Sequence, residues 1–590
     1  MPIVKILVVT DDQSGGFTRS VSKPFHIGEF VTVLQDTVWD GFTVQITRAH
    51  RYSSANAPGA GADLYGFRFS DASLAGFDMA FFLSIATPAE DTSFAGTTDA
   101  SRKEEAAAIA RFMEAGKGFF ATGDHEDLGA GVNMHVPRVR SMRRWFWSGT
   151  SPYGLPGAPS GTGSDRHDTL QQGNDTGSDA GITYPFQFND QSDAIPQPLS
   201  VKRYTVHSSR YFRTTVPHPL LCSPLGTIDV FPDHMHEGHC EVPADLTQDE
   251  NLPGRAGKKE YPPLSGSPFA PEVIAEGTVL AHPTLNQEFS GSVRISALTP
   301  GPYRFGVLGA WDGHRVGLGR VVVDSTWHHH ININLIGTSS SFPGLDPLKT
   351  KGFYAGPGDT AVPAYEKIKH HFRNLVYWLI PASRWRAIWP FAVELIRHNP
   401  AFEEMKNVYM AERIRLLDLI RLSHLADHYF STTRGHCYAF QLLPIILYPI
   451  WRPDWHIWEG WEAIVDPWSP VAQATRPPRQ PADSRQLFGY ADDVPRHLLL
   501  GSLVAASLQL HAELGGVEKL EENFAPDDYT KRLSERLRPI LRDQSEQVVA
   551  AAKAAASDLA NLAKGMQSLG GEKVDVGELV LRVGENIRPG

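Results

Sequence analysis

The sequence predicts an α/β fold, an open and mainly parallel sheet with flanking helices, followed by a mostly α-helical C-terminal domain. Three observations carry this. Short apolar runs alternate with a helical pattern through the first third of the chain, one of those runs is apolar almost throughout, and the spacing turns helical beyond about Pro347. Strand, helix and strand joined by short connections mark a βαβ unit, which belongs in a parallel sheet.

Taken in order, Ile3–Val9 reads as a first strand and Phe42–Ile46 as a second. Asp78–Ile85 has the unbroken apolar character of a strand buried on both faces. Ser101-Arg102-Lys103-Glu104 then has capping-box spacing, and Ala106, Ile109, Ala110 and Met113 recur on one face until Gly116 ends the helix. Lys117–Thr122 is the next strand. From Ser148 to Pro198 the composition turns to Gly, Ser, Pro, Asp and Gln without a sustained period, an insertion expected to run over the surface or to act as a lid. Strand-like sequence returns at Leu220–Phe231, Val273–Ala281, Tyr303–Leu308 and Arg320–Val323, which closes an α/β domain over residues 1–337.

Residues 347–590 form the helical domain. Tyr365–Ile380, Ala411–Phe430 and Pro495–Leu514 have helical spacing, and Pro526-Asp527-Asp528 opens a helix with the stripe Tyr529, Leu533, Leu537 and Ile540. Eight of the thirteen Trp lie between Trp378 and Trp468, a cluster that suits a core or a helix-packing contact. The Ala-rich Val548–Leu562 stretch suits pairing with a second subunit, so a homo-oligomer through the helical domain is one expected partner. The sequence contains no internal repeat.

The 590 residues carry 66 acidic side chains against 55 Lys plus Arg, a net charge of −11. That balance argues against coating nucleic acid or lying on a membrane surface. Three cysteines cannot build a disulfide framework. The longest apolar stretches, Leu442–Trp451 and Leu498–Leu508, are too short to span a bilayer, and the N-terminus lacks an export signal, so no membrane insertion and a cytoplasmic location are expected.

Histidine is the outlier, at 24 residues, and six of these lie in two short runs, His234 to His239 and His328 to His330. Four segments that follow expected strands concentrate ligand-type residues: Thr10-Asp11-Asp12, Gly123-Asp124-His125-Glu126-Asp127, Asp233-His234-Met235-His236-Glu237-Gly238-His239 and Asp324 to His330. In a parallel sheet all strand C-termini share one edge, where ligands bind, so these segments are expected to converge. Neutral imidazole and carboxylate are the ligands of Zn, Fe and Mn. A bound divalent ion, Zn first and Fe or Mn next, would lower the pKa of a bound water towards ~7 and leave a free carboxylate to move protons.

The expected metal ligands are His125, His234, His236, His328 or His329, and Asp11, and the expected catalytic carboxylates are Glu237, Glu126 and Asp124. His239 and His330 are assigned to the surroundings of the site, and Cys240 to a small buried side chain. Read separately, a His-x-His or an Asp-His-Glu-Asp turn fits an ordinary solvated loop equally well. Nucleophile elbows, Walker loops and dinucleotide fingerprints are absent. His424 and His428 stand one turn apart with Asp427 between them, a spacing that suits a helix contact.

The order of these motifs resembles the class I glutamine amidotransferase-like superfamily, in particular its trehalose-utilisation-type (ThuA-like) branch, over residues 1–337. The resemblance lies in the Ile3–Asp12 strand, the Phe77-Asp78 to Ala86 strand, the helix leading into Gly118-Phe119-Phe120-Ala121-Thr122-Gly123-Asp124-His125, and Gly319-Arg320-Val321-Val322-Val323 before His328-His329. It implies a flavodoxin-like or amidotransferase-like sheet. In glutaminase members the strand after the helix delivers a catalytic Cys and the late strand a His followed by Glu. Here Asp124-His125 occupies the first position, no Cys lies nearby, and the Glu is absent, so glutamine hydrolysis through a thioester is not expected. His234-x-His236 with Glu241 and His328 with Asn332 also have cupin-like spacing, which the βαβ start argues against.

The functional expectation is a metal-dependent hydrolase of a small polar substrate, cleaving an amide or ester-like bond. The alternatives are a ligand-binding or scaffold protein with a structural metal, and a metal-free acid/base isomerase or lyase.

Overall fold

A computed structural model describes residues 1–13, 15–55, 61–124, 127–144, 176–179, 182–185, 197–208, 213–232, 239–264, 266–279, 285–287, 293–295, 303–337, 363–434, 438, 441–443, 445–446, 466–469, 493–515, 528–544 and 547. The chain forms two compact units, one of residues 2–203 and 217–384, the other of residue 1, 204–216 and 385–590. The boundary expected at 337–347 thus falls between Arg384 and Trp385. The cause is the helix Pro363–Leu379, which packs on the sheet unit through Tyr365, Ile368, Phe372, Leu375 and Val376.

The first unit is built on a ten-stranded mixed sheet. Its strands are β1 (Ile3–Thr10), β2 (Thr43–His50), β3 (Met79–Leu83), β4 (Gly118–Ala121), β5 (Arg143–Arg144), β6 (Ser200–Val201), β7 (His239–Cys240), β8 (Glu272–Val279), β9 (Tyr303–Trp311) and β10 (Val321–Asp324). Spatial order is β2-β1-β3-β4-β10-β9-β7-β5, with β8 on β9 and β6 on β8. The five strands β2, β1, β3, β4 and β10 are mutually parallel, and β9 turns antiparallel against β10. The α/β expectation is met, and β3 and β4 are buried at every residue, as two-sided packing requires.

Helix α1 (Gly28–Asp36) buries Phe30, Val31 and Leu34. Helix α2 (Asp99–Glu114) buries Ala106 to Ala110 and Met113 in one core with Leu7, Val9, Phe82, Phe119 and Val323. Each large apolar side chain buried there contributes about 1.5–3 kcal/mol. The capping box of α2 is Thr98 with Ser101, three residues before the expected Ser101 to Glu104, because Asp99, Ala100 and Ser101 are already helical. Helix α3 (Pro363–Leu379) completes this unit.

Leu220–Phe231 departs from its expected strand. It breaks into a 3₁₀ turn at Pro219–Leu221, a hairpin of Cys222–Ser223 with Gly226–Thr227, and a strand Val230–Phe231 that pairs with Gln197–Pro198 outside the main sheet. The turn sequence Ser223-Pro224-Leu225-Gly226, with Gly226 at φ 96°, folds the segment back on itself before it can run as one strand.

The second unit contains residues 204–216 of the hairpin Arg203–Ser208 with Arg213–Pro217, and helices α4 (Ala382–Arg397, from Trp385 onward), α5 (Leu416–Arg434) and α6 (Asp493–Leu514). Residues 528–544 are also helical, and Tyr529, Leu533 and Leu537 of the expected stripe are buried. His511 joins three helical segments, through Glu394 Oε2 at 2.9 Å and Tyr529 OH at 3.0 Å. His424 meets His497 with ring centroids 4.3 Å apart and the rings tilted by 34°, the helix contact its spacing suggested. Most of the 148–198 insertion and all of Val548–Leu562 lie outside the described residues. Among the described residues no helix is long and apolar enough to cross a membrane.

Candidate active site

Parallel pairing puts the C-terminal ends of β1, β3, β4 and β10 on one edge, and backbone contacts tie them together there. Gly129 has φ 80°, and a Cβ on it would stand 2.5 Å from Gly123 Cα and 2.6 Å from Ser84 O, so only glycine lets the loop after β4 approach the end of β3 this closely. Trp327 N donates to Gly123 O at 2.9 Å, which joins the segment after β10 to the same point.

Asp11, at the end of β1, is fully buried. Its carboxylate accepts from Ser84 Oγ at 2.6 Å, Ile85 N at 2.7 Å and Ala86 N at 3.0 Å. Burial raises its pKa to about 6 despite these bonds. Both oxygens are thereby engaged in fastening β1 to β3, and the carboxylate expected as a metal ligand serves here as a strand-end cap.

The β4 and β10 ends carry two Asp–His pairs. Asp124 Oδ2 accepts from Trp327 Nε1 at 3.2 Å and lies 3.3 Å from His328 Nε2. Asp324 Oδ1 lies 2.9 Å from His329 Nδ1 and accepts from Thr326 N at 3.3 Å. Burial would raise the Asp324 carboxyl, but the imidazoles of His329, His330 and His371 around it hold it below the usual carboxylate range. Between the two strand ends the buried Arg143 guanidinium donates to the backbone carbonyls of Asp124 and Ser325, the latter at 2.7 Å.

Three further side chains close this end. His330 is enclosed by Phe30, Phe120 and Phe372 at ring-centroid distances of 5.2, 5.3 and 5.3 Å, and burial lowers its pKa to about 3. His371 of α3 donates from Nδ1 to Leu220 O at 3.2 Å, and burial lowers its pKa to about 4. Phe231 packs against both His329, at 4.5 Å, and His371, at 4.9 Å. Asp324 Oδ2, His329 Nε2, His371 Nε2 and both nitrogens of His330 are buried with no hydrogen-bond partner.

Of the residues singled out in the sequence, Asp11, Asp124, His328 and His329 meet at this edge. His125, Glu126, His234, His236 and Glu237 lie outside the described residues. His239 sits on β7 opposite Arg144, and Cys240 is a free, buried thiol whose pKa burial raises. Cys222 is disulfide-bonded. Among the described residues no three His, Cys, Asp or Glu side chains converge so as to hold a metal ion.

Sequence reasoning passed over Asp324, Arg143 and His371 as working groups. Asp324 had a signal, since it ends a buried apolar run and stands five residues before His329. Arg143 and His371 had none, because each reaches the edge from a remote segment.

Comparison of the chain with protein-family models, curated proteins and solved structures gives no match, so the reading of this edge rests on its own geometry.

Proposed function

We propose that the strand-end edge is the active site of a hydrolase that cleaves an amide or ester-like bond in a small polar substrate. The Asp324–His329 pair is the observation that carries this reading. In the neutral ring, Nδ1–H goes to Asp324, which leaves a lone pair on a buried Nε2 that no protein group uses. Such a nitrogen takes a proton from water while the water oxygen bonds to the acyl carbon. The resulting imidazolium returns that proton to the leaving nitrogen or oxygen as its bond to carbon breaks. Asp324 fixes the tautomer and stabilises the imidazolium, and a positioned base of this kind is worth about 10²–10⁴ in rate.

The metal-dependent form of this reading adds a divalent ion, with Zn first and Fe or Mn next, through His125, His234 and His236. Its support is residue type and spacing: His125 adjoins Asp124, and His234 and His236 follow Pro232 by two and four residues. The ion would supply an acidified water, with Glu126 or Glu237 as proton carrier. The metal-free acid/base form rests on the Asp324–His329 pair alone.

A panel of small amides and esters tests the reading. Turnover by the wild type and a loss of at least 100-fold in folded His329→Ala are expected. No turnover across the panel, or a fully active His329→Ala, defeats it. Elemental analysis and chelation separate the two forms: activity that falls with EDTA and returns with Zn²⁺ selects the metal, and activity indifferent to EDTA selects the base alone. A homo-oligomer through the helical unit and a cytoplasmic location complete the proposal.

A further inference from the structure

We propose that the Asp324 end of this edge recognises an ammonium group of the substrate, held by Asp324 Oδ2, His371 Nε2 and the ring of Phe231. The inference rests on reading the edge as the ligand-binding face and names the class of compound that enters it, a small aliphatic primary amine that is protonated at neutral pH.

Charge is the first argument. Asp324 is 0 % exposed, its bonds run to His329 Nδ1 and Thr326 N, and no Lys or Arg pairs with it among the described residues. A buried carboxylate without a cation is costly, whereas one that meets a cation on binding is compensated. On the β1–β3 side the buried Asp91 and Glu105 share Arg51, and Asp11, which has no cation, is filled instead by one hydroxyl and two backbone N–H groups, whereas Asp324 keeps an oxygen unbonded.

Hydrogen-bond polarity is the second. Leu220 O can only accept, so the His371 proton sits on Nδ1 and its Nε2 is an acceptor. Asp324 Oδ2 is an acceptor as well, and both atoms are buried and unpartnered. The pair therefore presents lone pairs and no donor, which suits N–H groups and repels anions. The Phe231 ring packs on His371 and on His329, which is bonded to Asp324, so the two acceptors belong to one cluster of side chains. An ammonium with three N–H donors can serve both acceptors and still face an aromatic ring, as Phe231 provides beside His371 and His329. With the cation placed on Asp324 and His371, His329 Nε2 stays open for the proton transfer described above.

Titration calorimetry of the full chain, treated with EDTA, tests this at pH 7.5 with n-butylammonium, n-butanol and butyrate as probes. Saturable binding of the ammonium alone is expected, weakened at least tenfold in Asp324→Asn and in His371→Phe, the second of which keeps an aromatic ring while removing the acceptor. Equal binding of the alcohol or the carboxylate, no saturable binding of the amine, or unchanged binding in folded His371→Phe overturns it. Zn²⁺ is titrated in parallel, and Zn²⁺ binding abolished by His371→Phe would place a metal on these atoms and overturn the ammonium assignment while leaving the hydrolase reading standing. Amine binding without turnover in the substrate panel has the opposite meaning: the recognition site stands and the hydrolase reading fails.

Discussion

The two halves of the same sheet edge treat buried charge in opposite ways. On the β2–β1–β3 side, Arg51 forms bonds of 2.6–3.1 Å to Asp91 and Glu105, all three of them buried, and Asp11 fills its carboxylate with one hydroxyl and two backbone N–H groups. On the β4–β10 side, Asp324, His329, His330 and His371 keep buried polar atoms with no partner. Native interiors leave few such atoms bare, because each costs about 1–3 kcal/mol. The first side also leaves Thr10 Oγ1 and Tyr52 OH without a partner, so the contrast lies in the ionisable groups: Arg51 is matched by its carboxylates, whereas the second side keeps unbonded imidazole and carboxylate atoms, which the proposed reading assigns to a ligand.

If that division is right, removing a paired ion on the first side should destabilise the fold, and removing unbonded polar atoms on the second should stabilise it. The largest effect belongs to the scaffold. Arg51→Ala leaves Asp91 and Glu105 as uncompensated buried carboxylates, so a loss of about 3–5 kcal/mol in urea unfolding is expected. A loss below about 1 kcal/mol would mean that the triad is not the clasp of this half.

Asp11 offers a sharper test because its sign depends on pH. Its folded pKa, about 6, lies above the ordinary 3.8, so its contribution to stability is full below about pH 4 and is lost as the pH rises through about 6. Asn at this position keeps an acceptor for Ile85 N and Ala86 N, and Ser84 Oγ, 3.3 Å from Gly129 O, can turn to donate there instead. Asp11→Asn should therefore match the wild type at pH 4 and exceed it by about 3 kcal/mol at pH 7.5. A variant that trails the wild type equally at both pH values would show that the carboxylate is not the strained group.

The smallest effect lies on the ligand side and is opposite in sign to that of Arg51→Ala. His330→Leu removes two orphaned nitrogens from a cage of three Phe rings and is expected to stabilise the fold by about 1–3 kcal/mol in thermal unfolding. Destabilisation of that size would instead show that His330 has bonded partners and belongs to the scaffold.

The strands β1, β3, β4 and β10 and the helix α2 were legible because their signals are local. An apolar run, a stripe of Ala106, Ile109, Ala110 and Met113, and a Gly at the helix end act within a few residues. The convergence of Asp11, Asp124, His328 and His329 followed from them, since parallel strands put their C-termini on one edge whatever lies between. Leu220–Phe231 was misread because apolar residues alone do not say which sheet a segment joins. That depends on the turn at Gly226 and on Gln197–Pro198 as partner.

By itself, then, the sequence determined the parallel half of the sheet and the edge on which its acidic and imidazole groups gather. Only the tertiary structure decided which of those groups are spoken for. Asp11 is capped by backbone N–H groups 74 and 75 residues away, and His371 arrives on a helix from beyond residue 347 to pack on Phe231, which also meets His329. The physical reason is range. Periodicity records how a residue sits on its own element, whereas hydrogen-bond satisfaction and burial are set by whichever remote segment packs against it.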